Sequence, residues 1–189
     1  MNEFYNAEQL IELEEGWWFY DHAWSLLHII IQNIRGSSVL DVGCGSGMAL
    51  SVIKAINPQR ECAGIEPTDD LVDIWNLRNL NVTKGSATDI PFDNNNFDTV
   101  FSSHVLEHID NDLLATKEIL RVAKKRALII VPAGNCDDKN MGTAHLRYYN
   151  RVNFKNLIEN ASSGVNCEIK YSYHSHHLIN SIIAEIDFK

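Results

Sequence analysis

Short apolar runs alternate with amphipathic stretches along this chain, and glycine, proline and asparagine punctuate the joins. Residues 6–15 carry Leu10 and Leu13 at helical spacing, and Gly16 interrupts them. Trp17 opens a second predicted helix through Trp24, Leu27, His28 and Ile31 to about residue 34, with Trp24 expected to pack on a sheet. A strand over 39–42 follows, then a helix over 48–56 that Asn57-Pro58 ends. Next come a strand over 61–65, a helix over 71–79 capped by Thr68-Asp69-Asp70, and short strand 82–84. The run at 97–102 suits a buried central strand. A helix near 112–122 leads to a strand at 127–131 that Pro132 stops, and a helix over 152–160 follows. Two strand-like runs, 165–173 and 182–188, have no helix between them and predict a closing antiparallel hairpin.

Strands alternating with helices define an α/β chain with a mostly parallel sheet covered on both faces. The 189 residues, 45% hydrophobic, suit one domain. Within it, 1–36 is expected as a helical cap, 37–132 as a ligand-binding core, and 133–189 as an acceptor loop, helix and hairpin. A net charge of -9 argues against a broad grip on nucleic acid, so no DNA partner is expected. Lys124-Lys125-Arg126 reads as a solvated turn. No stretch approaches the roughly 18 apolar residues that span a bilayer, so no membrane is expected. The start of the chain lacks the pattern of a signal peptide, and the four cysteines are far apart. A cytoplasmic protein with free thiols is the expectation, as a monomer or homodimer.

The chemistry gathers at the carboxyl ends of the strands, where open α/β sheets bind ligands. Gly43, Gly45 and Gly47 follow Asp41 between a strand and a helix, so backbone can approach a ligand beside a carboxylate. The spacing differs from the dinucleotide fingerprint G-x-G-x-x-G. Glu66 ends the next strand, either accepting from ribose hydroxyls or acting as a helix-cap acid. Asp89 sits in a loop where a carboxylate can accept from an exocyclic amine, or is an ordinary turn acid.

The segments VLDVGCGSG (39–47), GIEP (64–67), ATDIPFDNNNFDTV (87–100) and SSHVLEHI (102–109) occur in one order. In them the chain resembles class I S-adenosylmethionine-dependent methyltransferases of the type 11-like group. The resemblance implies a Rossmann-like seven-stranded sheet in the order 3-2-1-4-5-7-6, with the last strand antiparallel. It implies S-adenosylmethionine as cofactor and S-adenosylhomocysteine as product. Asp41, Gly43, Cys44, Gly45 and Gly47 would line the methionine end, and Glu66, with Pro67 beside it, the ribose. Asp89, with the Thr88 and Ile90 backbone, would hold adenine, and Ser103 and His104 would lie near the transferable methyl.

A histidine near neutral pKa is a sensible base for an oxygen acceptor. His104 and His145 are the catalytic candidates, the second in the long segment 133–149. Trp17, Trp18, Tyr20, His108, Arg147 and Tyr148 are candidate acceptor contacts, each with a packing alternative. His174, His176 and His177 invite a metal, but no acid or cysteine adjoins them and no metal site is expected. The function expected is methyl transfer to a small molecule, at oxygen. The alternatives are a protein or RNA acceptor, or a non-catalytic cofactor-binding module.

Overall fold

In a computed structural model, the chain is described over residues 17–134, 145–176 and 180–189, with side chains from residue 23 onward. The apolar runs pair into one sheet. Its strands are β1 (Ser38–Val42), β2 (Glu61–Glu66), β3 (Asn81–Lys84), β4 (Phe97–Ser103), β5 (Ala123–Pro132), β6 (Cys167–His174) and β7 (Ser181–Phe188). They lie in the order β3-β2-β1-β4-β5-β7-β6, the order expected. The first five run parallel, and β7 is antiparallel to both β5 and β6.

Five helices accompany the sheet among the described residues: α1 (Trp17–Asn33), α2 (Met48–Ile56), α3 (Val72–Leu77), α4 (Asp112–Val122) and α5 (Arg151–Ala161). Every residue of β1 is buried, as a strand covered on both faces requires. Alternation along β5 divides the core. Ala127, Ile129 and Val131 face the layer that holds Ile119, Phe154 and Ile158, while Leu128 and Ile130 meet Leu26, Ile30 and Ile53. The segment after β5 returns to its own start, because Gly134 N–H donates to Tyr149 O at 3.0 Å.

Three local expectations are corrected. Trp24 does not pack on the sheet: it is 49% exposed, and α1 buries Leu26, Leu27 and Ile30 instead. Lys124-Lys125-Arg126 is not a turn, because β5 starts directly after α4. Lys124 and Lys125 are exposed, but Arg126 is buried opposite Asp187 of β7 and donates to both its carboxylate oxygens, at 2.7 and 2.6 Å. Thr68-Asp69-Asp70 does not cap α3, whose N-cap is Leu71 with no side-chain bond. Thr68 Oγ1 accepts from Asp70 N–H, and Asp69 pairs with Lys84. That helix is also shorter than expected, stopping before Asn79, which adopts a left-handed φ of +52°. The predicted helix over 6–15 lies outside the described residues. Among the described residues no helix is long and apolar enough to cross a membrane.

Candidate functional site

Between β1 and α2 the backbone passes through three left-handed glycines, with φ of +79° at Gly43, +52° at Gly45 and +79° at Gly47. Their surroundings differ. A Cβ at Gly43 would stand 2.5 Å from Val105 Cγ2, and one at Gly47 only 2.2 Å from Leu80 Cδ1. A Cβ at Gly45 would meet nothing within 4 Å, so there the bare backbone borders open space. The turn is fastened from β2 and α3. Ile65 O accepts from Gly43 and Cys44 N–H at 2.8 and 3.0 Å, and Trp75 Nε1 donates to Gly45 O at 2.8 Å. Arg78 Nη1 donates to Ser46 O and Oγ, both at 3.0 Å. Sequence reasoning passed over Trp75 and Arg78, which read as ordinary positions of a surface helix.

Two acids face each other at this turn. Asp41 is buried, and burial, then the Glu66 charge, pushes its carboxyl well above the usual range. Glu66 ends β2, and its Oε2 accepts from Gly45 N–H at 2.9 Å. Burial raises its pKa against the opposing pull of the Gly45 and Thr68 amides. Two acids with raised values make a site that a cation would relieve. Cys44 is a small filler. Its Sγ stands 2.7 Å from where a Cβ of Gly64 would be, and burial raises its thiol pKa. Pro67 is exposed.

In the next loop Asp89 is exposed and its N–H donates to Ser86 O at 3.1 Å, while Thr88 N–H donates to Ser86 Oγ at 3.2 Å. Ile90 is buried, and α4 takes both its backbone groups. Its N–H donates to Glu118 Oε2 at 3.0 Å, and its carbonyl accepts from Arg121 Nη2 at 2.9 Å. The expectation that the Ile90 backbone reaches adenine meets this competition, whereas Asp89 is exposed. Glu118 and Arg121 went unnoticed in the sequence because they belong to a helix that follows the loop's own strand.

At the end of β4, Ser103 is half-buried and His104 takes a left-handed φ of +57°. His104 N–H donates to Ile130 O at 2.9 Å, and its Nε2 lies 3.2 Å from Ser181 Oγ. Strain of this kind in a non-glycine residue gathers at functional sites. The single turn Leu106–His108 then buries Glu107 completely, and burial pushes its carboxyl up to about 8. The His108 ring meets the His145 ring edge to face at 4.8 Å, and Tyr148 lies 6.4 Å from His145. Burial lowers the His145 pKa, so its imidazole is neutral near pH 7.

Arg147, expected to orient an acceptor, turns its guanidinium the other way. It donates to the carbonyls of Leu106, Ile109 and Asp110 and pairs with Asp112 at 3.5 Å, so it ties its loop to the β4 end. Tyr149 supports it, donating to Asp112 Oδ2 at 2.8 Å. Trp17, Trp18 and Tyr20 lie in the first turn of α1, with side chains outside the described residues. His174 Nε2 lies 3.0 Å from Ser25 Oγ and its ring stacks on His176; His177 is outside the described residues.

Residues 40–131 match the family model described as a methyltransferase domain. A demethylmenaquinone methyltransferase of Staphylococcus carnosus is 31% identical over 102 residues, 51% of this chain and 42% of that protein. The chain thus spans less than half the length of that curated relative. Among solved structures, a SAM-dependent methyltransferase from Aquifex aeolicus superposes with a TM-score of 0.67 at 20% identity, covering 86% of this chain and 88% of that one. The cyclase SpnF gives 0.71 at 16% identity, covering 87% and 80%. At such identities these likenesses speak for the fold. With the ordered motifs and the sheet topology, the match over residues 40–131 supports a class I S-adenosylmethionine-dependent methyltransferase domain in this chain.

The residues present fit that family's cofactor. Open backbone at Gly45 leaves room for a ligand against the turn, Asp41 is a buried acid that a cationic group would relieve, and the Glu66 carboxylate can accept from hydroxyls.

Proposed function

We propose that this chain transfers a methyl group from S-adenosylmethionine to a small-molecule acceptor, at oxygen. The observation that carries the reading is the open, acid-lined turn at Gly45, with Glu66 Oε2 only 2.9 Å from its amide. Asp41 and the glycines take the methionine end, Glu66 the ribose, and Asp89 the adenine.

The cofactor supplies an electrophilic methyl, and the protein's part is to align the acceptor and exclude water. Alignment can be worth about 7–11 kcal/mol. His104, at the end of β4, contacts the acceptor, and its imidazole takes the hydroxyl proton as the methyl moves. Arg147 acts through position, holding the His145 loop against the same turn. The relative named for demethylmenaquinone favours a small acceptor over a macromolecule, as does a net charge of -9.

The test is a label-transfer assay with methyl-labelled cofactor, demethylmenaquinone, small phenols and hydroxy acids. The expected result is labelled product and S-adenosylhomocysteine with at least one acceptor. In His104→Ala, turnover should fall by about 10²-fold while cofactor affinity holds. Cofactor binding with no turnover on any acceptor would favour a non-catalytic binding module.

A further inference from the structure

Glu107 is completely buried, and neither of its carboxylate oxygens meets a hydrogen-bond donor among the described residues. Leaving a buried acceptor bare costs about 1–3 kcal/mol, and more when it is charged. Imidazoles surround it. His104 brings Nδ1 to 4.0 Å from Oε1, and His108 brings Nε2 to 3.8 Å from the same oxygen. His145 Nδ1 is buried and also has no hydrogen-bond partner among the described residues. One donor atom each from Glu107, His108 and His145 lies within 4.8 Å of the others.

Two separate parts of the chain build this cluster. His104 to His108 lie on the strained step and single turn that end β4. His145 comes from the segment beyond β5, pinned by Leu146 N–H on Glu107 O at 2.8 Å and by the Arg147 bonds to the same turn.

We infer that Glu107, His108 and His145 form a binding site for one divalent transition-metal ion. The sequence-based expectation was of no metal, argued from His174, His176 and His177 with no acid or cysteine beside them, and it did not weigh Glu107 with His145. Imidazole nitrogens with one carboxylate suit zinc or another first-row ion rather than calcium or magnesium. Metal bonds of about 2.1 Å require the donors to lie about 3.3 Å apart, so the three side chains must close in on the ion. An ion would also give the bare carboxylate its missing positive partner. The competing state is a neutral, protonated Glu107, which takes up no metal. The inference is independent of the methyl acceptor, because it is read from metal uptake.

Metal-stripped protein titrated with Zn²⁺ is expected to bind one equivalent, and Co²⁺ in its place to give visible ligand-field absorption. His145→Ala and the near-isosteric Glu107→Gln should each weaken zinc by at least about 100-fold without changing the far-ultraviolet circular dichroism. His176→Ala, between β6 and β7, should leave the stoichiometry unchanged. If Glu107→Gln does not fold, His145→Ala decides alone. Absence of saturable zinc binding by the wild-type chain overturns the inference. So does binding that His176→Ala abolishes while His145→Ala leaves it intact.

Discussion

Glu66 Oε2 accepts the Gly45 backbone amide at 2.9 Å, which ties the last residue of β2 to the turn after β1. The bond joins the two strand ends between which a ligand would sit, and it leaves the open side of Gly45 facing out. A cofactor reaching Glu66 therefore meets a carboxylate already oriented by backbone.

Gly45 and Gly47 should separate in mutagenesis. Gly47→Ala combines a φ of +79° with a contact of 2.2 Å to Leu80 Cδ1, so it should lower stability by about 2–3 kcal/mol. Gly45→Ala meets nothing within 4 Å and should cost only about 1 kcal/mol for its φ, yet obstruct cofactor binding. Urea melts beside cofactor titrations check this. Equal melts for the two variants would contradict the packing account.

Cofactor affinity should depend on pH. Burial raises the Asp41 and Glu66 pKa values, and a cationic group beside Asp41 with hydroxyl donors on Glu66 favours their charged forms, so binding releases protons. Affinity should then weaken as pH falls through the raised carboxyl values, more for S-adenosylmethionine than for uncharged-sulfur S-adenosylhomocysteine. Calorimetry in buffers of different ionisation heat reads the proton count. Glu66→Gln should lose about 10–100-fold in affinity and release fewer protons.

Arg126→Met should cost about 2 kcal/mol at neutral pH, because it strips the bidentate partner from a partly exposed Asp187. The Arg126 bonds hold the Asp187 pKa below its ordinary value. That contribution is complete above about pH 4 and is lost as pH falls through the lower folded value. Denaturant curves should therefore show the gap between wild type and variant narrowing in acid. A constant gap would mean that the loss is packing alone.

The strand order and the glycine turn were legible because both obey local rules: apolar runs of strand length, and glycines between a strand and a helix. The family resemblance added the order of the closing hairpin, which β5, β7 and β6 follow. What the sequence hid depends on contacts between distant segments. Arg126 looked solvated beside two lysines, but β7 brings Asp187 opposite it. Trp24 looked like core, yet Leu26, Leu27 and Ile30 hold the buried stripe of α1. The complete burial of Glu107 was not legible in the segment 102–109, and Leu146, far along the chain, donates its N–H to the Glu107 carbonyl. The Glu118–Arg121 grip on Ile90 is hidden for the same reason: α4 lies beyond an intervening strand.

The most direct measurement is a calorimetric titration of the purified chain with S-adenosylmethionine and S-adenosylhomocysteine. Saturable one-to-one binding of both at micromolar levels, lost in Gly45→Ala, is the result predicted. A folded chain that binds neither would contradict the assignment of the Gly45 turn as a cofactor site.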